Sequence, residues 1–220
     1  GKRELFQGLA MEQLEQEWRV HPVLHLDLNI EKYASQESLD NILESNLVQW
    51  ENLYGAEPSE RSFSLRLAGI IRRAYEKTGE RVVVLVDEYD KPLLQSISNK
   101  ALQDEFRATL KPFYGVLKTM DECIKFALLT GVTKFSKVSV FSDLNNLKDI
   151  SMSTHYNDIC GITEAELHAV FDEEVDRLAA ANAQSREEAY DTLRQRYDGY
   201  HFCPDSAGMY NPFSVLWTLS

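Results

Sequence analysis

Two acids stand side by side at the end of an apolar run: Asp87 and Glu88, directly after Val82-Val-Val-Leu-Val86. A carboxylate is a hard oxygen ligand for a divalent cation, and a second one beside it can accept a proton from water. The run before them is continuous rather than alternating. It reads as a strand buried on both faces, the kind found in parallel α/β sheets. Ligands of open α/β sheets bind beyond the carboxyl ends of the strands, so Asp87 and Glu88 are delivered to where chemistry is expected. Thr130 closes another apolar run, Ile124-Lys-Phe-Ala-Leu-Leu129, where its hydroxyl either satisfies a turn or faces a ligand. Lys134 is either a solvated surface cation or a group that neutralises developing negative charge. Asp27 ends a third such run and either lines the same rim or makes a structural hydrogen bond.

These groups need elements to hold them. Residues 22–28 and 81–86 read as strands, and 124–130 as a third. Leu39, Ile42, Leu43, Leu47 and Trp50 recur at helical spacing, as do Phe63, Leu67, Ile70, Ile71 and Ala74. Ser62 is placed to cap the second of these helices and Gly79 to close it. Leu102, Phe106, Leu110, Phe113 and Leu117 mark a long helix from about 99 to 120. Tyr89 and Asp90 are read as fixing the turn after the acidic strand, with Asp90-Lys91-Pro92 opening a loop. Strand, helices, strand, helix, strand is the rhythm of βαβ crossovers, which predicts a parallel sheet with helices on both faces and a fourth strand near 147–150. After residue 160 the character changes. Thr163-Glu-Ala-Glu166 and Ser185-Arg-Glu-Glu188 have capping-box spacing, and predict helices to about 181 and 198. A hairpin around 200–210 and a last helix after Asn211-Pro212 follow. The reading is therefore an α/β core over 1–160 and a helical lid or subdomain over 161–220.

The composition narrows the classes. At 220 residues with 44% hydrophobic and 26% charged residues, the chain carries a full core. Its net charge of -12 repels phosphate backbones, so nucleic-acid binding is not supported. Cys123, Cys160 and Cys203 form no CxxC pair, which argues against a zinc site or disulfide framework and for a reducing, cytoplasmic setting. There is no run of about twenty apolar residues, so no membrane span is expected. The histidines have no HExxH or triad companions, and no strand-borne acid is followed by the spacing a nuclease needs.

Five ordered segments then carry a resemblance: Val84-Leu-Val-Asp-Glu-Tyr-Asp-Lys-Pro92, Leu129-Thr-Gly-Val-Thr-Lys-Phe-Ser-Lys137, Phe141-Ser-Asp-Leu-Asn-Asn-Leu147, Tyr197-Asp-Gly-Tyr200 and Tyr210-Asn-Pro-Phe-Ser-Val-Leu216. Together they resemble the bacterial AAA-ATPase-like family of P-loop ATPases, whose members often carry a PD-(D/E)xK nuclease-like domain downstream. The resemblance implies a P-loop NTPase-like, three-layer α/β/α core that binds ATP with Mg²⁺. Asp87 and Glu88 would form the acidic (Walker B) motif, with Asp87 on the metal and Glu88 as catalytic base. Thr130 would sense the γ-phosphate, and Asp87, Thr130 and Lys134 would contact the nucleotide. The phosphate loop GxxxxGK[ST] does not occur here, so the core is read as N-terminally incomplete and this chain as binding ATP weakly or not at all alone. ATP, the downstream domain and an oligomeric partner belong to the longer protein. Two other readings stand beside this one: a nucleotide-independent interaction module, and a metal-dependent phosphoesterase using Asp87, Glu88 and Asp90.

Overall fold

Three strands form one parallel sheet in the computed structural model, which describes residues 2–132, 145–203 and 206–220. They are β1 (Val23–Asp27), β2 (Val82–Asp87) and β3 (Ile124–Leu129), in the spatial order β1-β2-β3. Leu24 pairs with Val84 and Leu26 with Val86, and Val84 and Val86 pair on the other side with Ala127 and Leu129. The most apolar run is thus the central strand, paired along both edges. The chain divides into two compact units, 1–147 and 148–220.

In the first unit, helices α2 (Gln36–Tyr54), α3 (Phe63–Thr78) and α5 (Lys100–Thr119) share one core with Leu24, Leu26, Val82, Val84, Val86 and Ile124. Each helix begins and ends for a local reason. The Ser62 hydroxyl accepts the Leu65 amide and Asn99 accepts that of Leu102, while Ser35 and Ser38 cap each other. Gly79 ends α3 in the left-handed conformation at φ 71°, which costs glycine little.

The expectation of helices on both faces is not met. Among the described residues they pack on one face, and the other presents Val23 and Phe126, each about half exposed. Topology supplies the reason. Crossovers between parallel strands are right-handed. Two successive crossovers that step in the same direction, β1 to β2 to β3, must therefore cover the same face. Helices on the second face would require the strand order to reverse. Residues 145–150 form no strand, so the expected fourth strand near 147–150 is also absent there. Nor do residues 91–95 form a loop: they are a short helix, α4 (Lys91–Gln95), with Pro92 in its first turn, where the missing amide costs nothing. Near the N-terminus a 3-10 turn (Arg3–Phe6) precedes a short helix, α1 (Ala10–Leu14).

The second unit is built from α6 (Glu164–Val170), α7 (Asp172–Ala181), α8 (Arg186–Tyr197) and α9 (Pro212–Leu219). Thr163 and Ser185 do make capping boxes with Glu166 and Glu188. The single helix expected from 163 to 181 is broken at Phe171, and Asp172-Glu-Glu174 start the next with acids at its positive end. Leu167, Val175, Ala179, Ala189, Tyr190, Leu193, Tyr210 and Val215 form its core. Antiparallel bridges Tyr200–Met209 and Ile162–Tyr210 replace a full hairpin. Among the described residues no helix is long and apolar enough to cross a membrane.

Candidate functional site

Side chains alternate across a strand, so the pairing register decides which strand ends meet. Val23, His25 and Asp27 share a face of β1, and the register sets them beside Val83, Leu85 and Asp87 of β2. Phe126 and Leu128 continue that row on β3, and Thr130 follows them in step. Asp27, Asp87 and Thr130 therefore sit at the carboxyl rim of the sheet, on the face the helices leave open. Asp87 and Thr130 are exposed and Asp27 half-buried. The Thr130 hydroxyl donates a short hydrogen bond to the Asp87 carboxylate. The ladder runs past the strands to support this contact: the Thr130 amide donates to the Val86 carbonyl at 2.9 Å and the Tyr89 amide to the Thr130 carbonyl at 2.9 Å.

Glu88 adopts φ 55°, a left-handed conformation that a side-chain-bearing residue enters at a cost of about 1–3 kcal/mol and that clusters at functional sites. This single twist turns the chain from the strand into α4. Glu88 is left half-buried at the rim, while Tyr89 and Asp90 turn into the core, where both are buried. The Tyr89 carbonyl accepts from the hydroxyl of Tyr114 at 3.2 Å. Burial pushes the Tyr114 phenol far above its ordinary value, so it remains a donor at any physiological pH.

Asp27 is occupied locally, since its carboxylate accepts the Asn29 amide at 2.7 Å in an Asx-type turn. Beyond it Lys91 donates to the Asn29 carbonyl at 2.9 Å and to the Asn29 side chain, tying the exit of β1 to the start of α4. Sequence reasoning missed Lys91, Asn29 and Tyr114, because only the spatial adjacency of strand ends gives them a role. Lys134 lies outside the described residues.

The arrangement fits a magnesium ion held by one carboxylate. Mg²⁺ is usually bound by one or two protein carboxylates and completes its shell with water and substrate phosphates. Asp87 is exposed, is an acceptor, and is held in place by Thr130. Among the described residues no group of three or more acidic, histidine or cysteine side chains converges. Asp90, invoked in the phosphoesterase reading, is 1% exposed and spends a carboxylate oxygen on the Val132 amide at 3.3 Å. Its carboxylate is thus buried against the chain leaving β3, whereas that of Asp87 is exposed.

A curated relative from Azotobacter chroococcum mcd 1, described as "Uncharacterized protein in vnfD 5'region", is 38% identical over 219 residues. The match covers 98% of this chain but 40% of that protein, so the chain spans well under half of its relative's length. No solved structure matches. The model of a family described as "Predicted AAA-ATPase" matches residues 1–141, which take in all three strands and the Asp87–Thr130 rim, and the chain belongs to this AAA-ATPase-like family.

Proposed function

We propose that residues 1–147 supply the acidic half of a Mg²⁺–ATP site in a longer ATPase, and that a phosphate-binding segment outside this sequence supplies the other half. The observation that carries the reading is the Asp87–Thr130 contact at the carboxyl rim of a parallel sheet, on its open face. Had the acids been locked in buried ion pairs or turned to the amino ends of the strands, the reading would have failed. Asp87 is instead exposed and bonded to a neutral hydroxyl.

Each residue then has a separable role. Asp87 offers carboxylate oxygens to the cation or to its bound water. Thr130 fixes the Asp87 rotamer with its proton, and the lone pairs of its oxygen can still accept. Glu88, one residue further along, is positioned as the acceptor of a proton from an attacking water. Its left-handed backbone is the means by which two sequential acids face different partners. When bound, the magnesium ion neutralises charge on the transferring phosphoryl group. The half-exposed apolar surface of Val23, Phe126 and Leu128 below the rim gives the rest of the protein a face on which to complete the site.

Thermal-shift titration with Mg²⁺–ATP tests this. The 220-residue chain should show no shift at micromolar nucleotide. The longer protein should shift upward, and Asp87→Ala should abolish the shift. A longer protein that ignores Mg²⁺–ATP, or an Asp87→Ala variant that still responds fully, would overturn the proposal.

A further inference from the structure

Asp87 and Thr130 are both exposed, and among the described residues what holds their contact together lies beneath them. Past the last paired residues of β2 and β3, two further bonds join the departing chains. The Tyr89 amide donates to the Thr130 carbonyl at 2.9 Å, and the Val132 amide donates to the Asp90 carboxylate at 3.3 Å. Between these two bonds lies Gly131. A methyl group there would stand 2.6 Å from the Asp90 carboxylate oxygen and 2.7 Å from the Tyr89 ring. Real side chains do not approach that closely. Both obstructing residues are buried, so neither can swing into solvent to make room. Tyr89 is further held by the Tyr114 hydroxyl on its carbonyl.

Resting on the function proposed above, we infer that Asp90 and Gly131 are positioning residues of the nucleotide site. Together they clamp the chain leaving β3 against the chain leaving β2, and so set the register that puts the Thr130 hydroxyl on Asp87. Gly131 serves by having no side chain, which lets the buried carboxylate and ring close over the backbone. Asp90 serves by reaching across to the Val132 amide. Neither residue touches the ligand. This also gives the acid at 90 a role distinct from the pair at 87 and 88, although it stands two residues from them.

The test uses Gly131→Ala, Asp90→Ala and Asp90→Asn. Asparagine keeps a carbonyl oxygen for the Val132 amide, whereas alanine does not. In hydrogen exchange, Gly131→Ala and Asp90→Ala should speed exchange of the Tyr89 and Val132 amides at least tenfold. The amides of Leu26 and Val84 should stay as protected as before, and Asp90→Asn should restore protection at 89 and 132. In the longer protein, Gly131→Ala should lower kcat for ATP turnover by the same factor as Thr130→Ala, with KM little changed. The double variant should lose no more than either single one, because both remove the same contact. Unchanged exchange at Tyr89 in Gly131→Ala overturns the inference. So does loss of protection throughout the sheet, which would make the clamp general packing, and so do additive effects in the double variant. If the wild-type longer protein fails to turn over ATP, the proposed function falls, and the exchange experiment alone decides the clamp.

Discussion

Two leucines on opposite faces of the sheet should respond very differently to the same substitution. Leu26 in β1 is 1% exposed on the helix-covered face, and Leu128 in β3 is 39% exposed on the open one. Truncating a buried leucine to alanine costs the transfer energy of the lost carbons plus a cavity term, about 2–5 kcal/mol in total. Leu26→Ala belongs near the middle of that range, at about 3 kcal/mol, because α2 and α3 cannot collapse onto the space. Leu128→Ala removes the same three carbons at about 0.8 kcal/mol each, and roughly three-fifths of that burial is lost. With solvent free to fill the gap there is no cavity term, which leaves about 1.5 kcal/mol. For a unit of this size 1 kcal/mol moves Tm by about 2–4 °C, so the expected losses are about 10 °C and about 4 °C. The assay is thermal unfolding followed by the emission of Trp50, which is buried in the same core, in a background in which Trp18 and Trp217 are both replaced by phenylalanine. Leu128→Thr should be nearly as stable as Leu128→Ala, whereas Leu26→Thr buries a hydroxyl and should fall further. Equal losses at the two positions would show that both faces are packed, and the account of a one-sided sheet would be wrong.

The left-handed backbone at Glu88 predicts that Glu88→Gly is more stable than Glu88→Ala by about 1 kcal/mol, since glycine enters that region without the Cβ clash; urea denaturation measures the difference. Glu164 predicts an acid dependence for the second unit. Burial alone would raise its pKa, but hydrogen bonds from Tyr210 and Arg194 outweigh burial and hold it below the ordinary 4.5. A folded-state value below the unfolded one contributes stability that is fully present above pH 4.5 and lost as pH falls through the lowered value. Circular dichroism across that interval should show acid unfolding of 148–220, and Glu164→Gln should flatten the profile; an unchanged profile would remove Glu164 from the explanation.

Much of this arrangement was legible in the residues. The valine run announced a strand of a parallel sheet, because its side chains are apolar on both faces. Helix starts at Ser62, Asn99, Thr163 and Ser185 are marked by side chains that accept an amide two or three residues on. Asp87 and Thr130 were each recognisable as strand-end groups, but their contact was not, since a register is a property of two strands and neither sequence states it. The sidedness of the sheet was misread for a related reason. Periodicity shows that a strand is apolar on both faces, whereas strand order decides which face the crossovers cover. Asp90 looked like a turn residue or a spare ligand. Its place beneath Gly131 depends on the twist at Glu88, and no local pattern encodes a positive φ at a glutamate.

Under the proposed function Glu88 accepts the proton and Asp87 holds the cation at one nucleotide site, and the longer protein bearing Glu88→Gln separates the two roles. Single-turnover hydrolysis should slow by about 10²–10⁴-fold, the usual worth of a positioned general base, while Mg²⁺–ATP binding by titration calorimetry stays intact. Hydrolysis at the wild-type rate in Glu88→Gln, with binding unchanged, would contradict the account.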